Sequence, residues 1–503
     1  MGDPCTLGEF PEIQGSCPDG LVCFPSEGGY CTKACGLSSC PAGSTCVPTL
    51  RSGEMCSKAC ETDADCRQAE GYACHPDYQA CVQWLVSPLL PTCGAPALTR
   101  NAFGTVTQLS TSAGPGIYNM EPGARLDASG NLTAVYMARN EAFENGTLGV
   151  STLTAAGTVD GDRELTSSST NLFDVWMAND RNGGLHLVWF GHDGLDTNSR
   201  IDYATSSDGF TWSAPTNLLQ PADCPNGQPG CTDKPMIAIG PDPVNAAQDN
   251  IYVFHGSSNG ERVSRSTDGG ATFTPTAILS GAGVYGDAEV ASDGSLHFVS
   301  AVSNGDRLGD TANAIRYHHS EDGGLTFAPV VAVEEASEPT PLYFSNAQVA
   351  FNPGQGSVHV VYPTGTPDGE WNIRLATSMD AGNTWSRITV NDDASCANHA
   401  TPTIALDEAT GTLHVAWIEN RSGTGAVAYT RCLPDGSSCA PNEAISDTPF
   451  ASYVLVRHSP KWMGEYFELL VDPAQQEIHA VWAQPVMENG IPIARIFHSK
   501  AAL

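Results

Sequence analysis

Seven short stretches carry the side chains with most chemistry to offer, and they recur along the chain. They are Tyr118-Asn-Met-Glu121, Phe173-Asp174, Asp233-Lys234, Tyr285-Gly-Asp287, Tyr343-Phe-Ser-Asn346, Asn398-His399 and Trp462-Met-Gly-Glu465-Tyr466. Five of the seven hold a carboxylate, and aromatic rings stand beside several. A pair of carboxylates flanking a glycosidic bond can serve as general acid and as base or nucleophile. Aromatic faces next to carboxyls also suit sugar rings, which offer apolar C–H patches and hydroxyl donors together. Glu121, Asp174, Asp287, Glu465 and Tyr466 are therefore the candidate catalytic groups. Tyr118, Arg139, Asp233, Arg307, Trp371 and His399 are candidate ligand contacts, and Arg421 stands with Arg139, Arg307 and Trp371 in a second set of loops.

Carboxylates that crowd together repel one another, so protons or a cation must compensate. Ca²⁺ suits such a place because it accepts many oxygen ligands with tolerant geometry, and Glu121, Asp174 and Asp287 are its candidate ligands. Asp63-Ala-Asp65 and Asp160-Gly-Asp162 lack a full calcium-loop pattern.

The elements that position these residues repeat. Gly184-Leu-His-Leu-Val-Trp189, Ser295-Leu-His-Phe-Val-Ser300, Ser357-Val-His-Val-Val-Tyr362, Thr412-Leu-His-Val-Ala-Trp417 and Glu477-Ile-His-Ala-Val-Trp482 are copies of one strand. Asn131-Leu-Thr-Ala-Val-Tyr136 and Asn250-Ile-Tyr-Val-Phe-His255 are weaker ones. Apolar alternation of period two between Asp, Gly, Asn and Pro means strands. Seven copies spaced about 58 residues apart, each with room for four strands, predict an all-β fold: a seven-bladed β-propeller of four-stranded blades. The repeated histidines occupy one strand position in five blades, so they are packing residues and cannot converge on a metal. Each acid precedes its blade's repeat strand and falls at the start of the innermost strand. Glu121, Asp174, Asp233, Asp287 and Glu465 are thus expected at one mouth of the central channel. The same residues can also be read as the polar lining of a water-filled channel.

A second element recurs downstream of four of the repeat strands: Ser206-Ser-Asp208-Gly-Phe-Thr-Trp212, Ser266-Thr-Asp268-Gly-Gly-Ala-Thr-Phe273, Ser320-Glu-Asp322-Gly-Gly-Leu-Thr-Phe327 and Ser378-Met-Asp380-Ala-Gly-Asn-Thr-Trp385. These resemble Asp boxes, the bacterial neuraminidase repeats of sialidase-like β-propellers, and Thr430–Cys439 resembles a degenerate fifth. The resemblance covers roughly residues 100–503. It implies structural turns on the face away from the ligand. It also implies an anion clamp and a Tyr–Glu nucleophile pair, if the chain were a true sialidase. Gly464-Glu465-Tyr466-Phe467 is similar to the stretch that carries the family's nucleophilic tyrosine. The family's first arginine, in a Tyr-Arg-Ile-Pro stretch, has no counterpart in Tyr118-Asn-Met-Glu121-Pro122. An acid where a carboxylate-binding arginine belongs reverses the local field. Family members have six blades against seven counted here.

Thirteen of the eighteen cysteines lie in residues 1–93, among Gly, Pro, Ser and Asp. Such a segment cannot build a core of its own and needs cross-links, so a small disulfide-rich domain over 1–93 precedes a propeller over 94–503. Cys-x2-Cys pairs are absent and His75 is the lone histidine there, which speaks against zinc. Twelve cysteines from Cys5 to Cys81 suffice for six internal bridges of undetermined pairing. Cys224 and Cys231, and Cys432 and Cys439, flank short loops and are expected to pair locally, leaving Cys93 and Cys396 for each other.

Disulfides place the protein outside the cytoplasm: secreted, periplasmic or on a cell surface, as in bacterial-type extracellular proteins. Fifty-six acidic against 23 basic residues, a formal charge of −33, speak against nucleic acid or anionic membrane as partners. No apolar stretch is long enough to span a bilayer. The chain starts without a charged region and apolar core, so any secretion signal is expected to have been removed. The reading that follows is a glycan-binding or scaffold propeller, engaging a glycan or cell-surface polysaccharide through its funnel and a protein partner through its head, without sialidase activity. The alternative is a glycoside hydrolase for neutral sugars, using a carboxylate pair. Gly104–Leu109 alternates suitably to supply the outer strand of the last blade and close the ring.

Overall fold

Alternating strands between Gly- and Asp-rich turns build seven antiparallel four-stranded sheets after residue 100. The computed structural model describes the chain except residues 1, 5–16, 19–20, 25–29, 34, 36–39, 50–52, 69–71, 76–78, 84–95, 117, 140–145, 166, 168, 194–196, 225–231, 284, 304–310, 342–345, 367–370, 394–396, 423, 451–463 and 489–490. Blade 1 consists of Tyr118–Leu126, Leu132–Arg139, Thr147–Leu153 and Val159–Leu165. The first strands of blades 2 to 7 are Asn171–Asn179, Met236–Pro241, Tyr285–Val290, Gln348–Asn352, His399–Asp407 and Glu468–Asp472. These first strands touch their neighbours in turn, and the seventh touches the first, so they line the axis of a closed seven-bladed propeller.

The N-terminal strand Thr107–Gln108 completes blade 7 as its outermost strand, with Gln108 opposite Phe497 and Thr107 opposite His498. Leu109 N–H donates to Ile496 O at 2.7 Å and Gly104 N–H to Lys500 O at 2.8 Å. The expected ring closure is thus present, and it removes the sheet edge that an open last blade would leave.

The repeat strand fills each blade's core. Trp189, Trp417 and Trp482 end three of its copies and are fully buried. Each such ring contributes about 4–6 kcal/mol of transfer free energy before chain entropy is counted. The repeated histidines bond within their own blades: His186 Nδ1 to Tyr203 OH at 2.6 Å, His297 Nδ1 to Tyr317 OH at 2.7 Å and His414 Nδ1 to Tyr429 OH at 2.6 Å. Burial pushes His297 down to about 3 and His359 and His414 to about 4, so these rings are neutral packing groups.

The Ser–Asp turns close the third strand onto the fourth, at the end of the blade away from the start of the innermost strand. In blade 5, Ser378 Oγ donates to Asp380 Oδ1 at 2.7 Å and Thr384 N–H to the same oxygen at 2.8 Å. Gly382 has φ +88°, and a Cβ there would lie 2.2 Å from the Tyr317 ring of blade 4. Trp385 meets that ring edge-on at 5.5 Å. The turn therefore locks one blade to the preceding one.

The N-terminal region is three hairpins, Val22–Phe24 with Tyr30–Thr32, Ser44–Thr49 with Gly53–Lys58, and Tyr72–His75 with Ala80–Gln83. Among the described residues five bridges hold it: Cys17–Cys31, Cys35–Cys46, Cys40–Cys56, Cys60–Cys74 and Cys66–Cys81. The last four interlace in two like pairs. Cys432–Cys439 is closed as expected. Cys224 is disulfide-bonded, while Cys231, Cys93 and Cys396 lie outside the described residues. Among the described residues no helix is long and apolar enough to cross a membrane.

Candidate functional site at the channel mouth

The register of each innermost strand is fixed by the residue opposite the repeated histidine position. These residues are Arg125, Ala178, Ala238, Glu289, Ala350, Ala405 and Leu470 for blades 1 to 7. Four residues upstream stand Glu121, Asp174, Lys234, Tyr285, Asn346, Thr401 and Tyr466. Glu121, Asp174, Lys234 and Thr401 share a left-handed backbone, with φ of +52°, +50°, +46° and +48°. Blades 1, 2 and 6 shift register there, between Met120 and Gly123, Phe173 and Trp176, and Ala400 and Thr403. Each such residue costs on the order of 1–3 kcal/mol, and proteins concentrate that strain at functional sites.

Three of the four strained residues meet. Lys234 Nζ lies 2.7 Å from Asp174 Oδ1, in close contact with Glu465 Oε2 and 4.0 Å from Glu121 Oε1. Glu465 N–H donates to Glu121 Oε1 at 3.1 Å. Asp233 joins the group through Asp174 and accepts at Oδ1 from Lys234 N–H at 3.1 Å. Aromatic rings wall the cluster: Tyr466 is 5.3 Å from Lys234 Nζ and packs on Trp176 at 4.8 Å. Tyr466 OH donates to Val175 O at 2.9 Å. Arg139 stacks over Phe173, 3.5 Å from its centroid, and donates to Leu172 O. Gly146 makes room for that guanidinium, since a Cβ there would lie 1.6 Å from Arg139 NH1.

Burial sets the electrostatics. It pushes Glu121 up to about 7 against the pull of Lys234, with Asp174 adding to the rise. Asp233 rises to about 7 for the same two reasons, burial and then Asp174. Glu465 is raised well above the carboxylate range by burial, against Lys234. Burial alone would lower Lys234, but Asp174, Glu121 and Glu465 together outweigh it and hold the ammonium well above its ordinary value. Burial brings Arg139 down to about 9. Lys234 supplies part of the compensation that the acids require. Among the described residues, the trios of ligand atoms near enough to share one ion are head cysteines, and these are already bridged.

The sequence expectation of one five-acid ring needs correction. Glu121, Asp174, Asp233 and Glu465 come together, but Asp287 does not join them. Blade 4 has no bulge, so Asp287 falls two residues upstream of the residue opposite the histidine, one layer deeper in the channel. There it accepts from Val349 N–H at 3.2 Å and faces Glu468 and Arg125. Arg125 pairs with Glu468 at 2.8 Å.

His399 sits in a separate buried network of blade 6. Its Nδ1 faces Trp371 O at 2.7 Å and its Nε2 faces Asp393 at 3.2 Å and Glu419 at 3.7 Å. Arg421 continues that network to Glu419 at 2.8 Å and Asp392 at 2.6 Å. Tyr118 is buried in blade 1, and Arg307, Tyr343 and Trp462 lie outside the described residues.

Two residues escaped sequence reasoning. Lys234 stood beside Asp233 in the motif, and the spacing carries no sign of the left-handed backbone, φ +46°, from which its ammonium reaches Asp174 and Glu465. Glu261, on the third strand of blade 3, is 1 % exposed with neither carboxyl oxygen hydrogen-bonded. Burial, then Asp233, raises it well above the ordinary range. Its nearness to Asp233 follows from Gly256, whose N–H donates to Asp233 O and which pairs with Glu261.

No family model matches the chain, and no curated protein matches it. Among solved structures it is similar to a protein of unknown function from Dyadobacter fermentans, at 15% identity and TM-score 0.44, covering 66% of this chain and 95% of that one. It is also similar to the NanB sialidase of Streptococcus pneumoniae, at 14% identity and TM-score 0.42, covering 80% and 71%. A third likeness is to the α-L-arabinanase of Penicillium chrysogenum, solved with arabinobiose, at 13% identity and TM-score 0.41, covering 79% and 98%.

Proposed function

We propose that this is an extracellular glycan-binding propeller, covering residues 94–503 behind a cysteine-rich head at 1–93, which holds a neutral sugar at the channel mouth and lacks sialidase chemistry. What carries the reading is the engagement of the site's own cations. Lys234 is held by Asp174, Glu465 and Glu121, and Arg139 is stacked on Phe173. A sialic acid carboxylate needs cationic partners of its own, and here it would meet a cluster with more acids than cations. Tyr466 gives its hydroxyl hydrogen to a backbone carbonyl, and burial followed by Glu121 and Asp174 raises it well above the phenol range. That is the reverse of an activated nucleophile.

Sugar hydroxyls suit what remains. Carboxyls that titrate near neutrality both donate and accept hydrogen bonds, and Phe173, Trp371 and Asp233 keep partial exposure. Lys234 also disfavours a carboxylate-pair hydrolase, because it contacts both Asp174 and Glu465 where a substrate oxygen would have to reach. The test is a glycan array with and without Ca²⁺, beside turnover of a fluorogenic α-sialoside. Binding of neutral glycans without sialoside cleavage is expected. Release of sialic acid would overturn the proposal.

A further inference from the structure

The geometry points to a covalent modification site: an amide cross-link between Lys234 Nζ and Asp174 Cγ, formed by the folded protein itself. Three observations carry it. An amine and a carboxyl are held at 2.7 Å, both from residues in strained left-handed backbone that the surrounding sheets fix in place. Side chains fixed so close react as if at very high concentration. The pair is walled from water, with the Lys234 and Asp174 side chains 8 % and 10 % exposed and the Tyr466 and Trp176 rings alongside. Water drives amides toward hydrolysis, and its exclusion reverses that balance. Two further carboxyls, Glu121 and Glu465, flank the pair and can move protons.

The step balances without any co-reactant. Glu121 takes one proton from the ammonium, and the amine lone pair forms the bond to Asp174 Cγ. One Asp174 oxygen leaves as water, carrying a proton lent by Glu465 and a second from the nitrogen. The proton on Glu121 then restores Glu465. One buried ammonium and one buried carboxylate become a neutral amide, which removes the desolvation cost of holding both charges. The bond would staple the innermost strand of blade 2 to the stretch leading into blade 3, beside the seam where blade 7 meets blade 1.

The test is the intact mass of the full-length protein after reduction and alkylation, followed by peptide mapping. The expected result is a chain lighter by one water than its sequence, with a branched peptide that joins Lys234 to Asp174. Lys234→Arg keeps the charge but cannot form this amide, so it should have its full sequence mass. Glu121→Gln, verified as folded by circular dichroism, should leave the bond largely unformed. A wild-type chain at full sequence mass overturns the proposal, whatever the variants do. So does a one-water loss that maps to Glu465 or to any other residue.

Discussion

Gly464 lies so close against Glu121 that a Cβ on the glycine would stand 2.2 Å from Glu121 Cγ and 2.9 Å from its backbone nitrogen. The contact brings the lead-in of blade 7 onto the strained turn of blade 1, and the next residue's N–H then bonds the Glu121 carboxyl. Gly464 also has φ +100°, which side-chain-bearing residues rarely adopt. Gly464→Ala should therefore destabilise the propeller by about 1–3 kcal/mol, measured by chemical or thermal unfolding. An unchanged midpoint would mean that the seam does not pack as described.

Stability should be greatest in mild acid. Burial, the leading cause in each case, raises Glu121, Asp233 and Asp287 to about 7 and Glu289 to about 8. The unfolded chain releases those protons near pH 4. The contribution of these groups is thus complete below about pH 4 and is lost as pH rises through 7 to 8. The Ser–Asp turns act in the opposite sense. Hydrogen bonds from Thr272 and Thr384 hold Asp268 and Asp380 down to about 2, so their stabilisation is present above about pH 4 and lost as pH falls toward 2. Thermal melts should peak between about pH 4 and 6 and fall by pH 8. A Tm that keeps climbing to pH 8 would contradict the raised carboxyls.

Glu261 isolates one part of that pH dependence. Glu261→Gln replaces a buried acid by a neutral group of similar shape. At pH 5, where both side chains are neutral, it should be less favourable to stability than at pH 9. At pH 9 it should stabilise, because it removes a charge that burial and Asp233 both oppose. Equal effects at the two pH values would refute this account of the residue.

Asp322 tests the division of labour between the two faces. It accepts from Thr326 N–H at 2.9 Å and from Ser320 Oγ at 2.9 Å. Asp322→Ala should lower Tm while leaving glycan binding unchanged. Lost binding in a folded variant would place the ligand on the turn face instead.

Much of the fold was legible because its signals are periodic. The Leu-His-Val strand marked seven blades, the Ser–Asp motifs marked turns downstream of it, and the alternation of Gly104–Leu109 marked the closing strand. The site was legible only in part, because its layout depends on bulges. One extra residue in a strand turns every side chain before it to the other face. Glu121 and Asp174 reach the cluster through such bulges, whereas Asp287, on an unbulged strand, stops one layer deeper. Lys234 was hidden behind Asp233 because its left-handed backbone, φ +46°, leaves no mark in the residue spacing. Glu261 carries no spacing signal at all, since it reaches Asp233 only across the strand that holds Gly256.

The central claim is that sugars bind at the acid-lined mouth, and one comparison tests it most directly. The array signal of the wild-type protein is measured against Asp233→Asn, a variant altered at a partly exposed residue of the cluster outside the Lys234–Asp174 pair. The account predicts neutral-glycan binding by the wild type and a loss of at least about tenfold in the folded variant, equivalent to about 1.4 kcal/mol. Equal binding by the two proteins would contradict it and would remove the channel mouth as the glycan site.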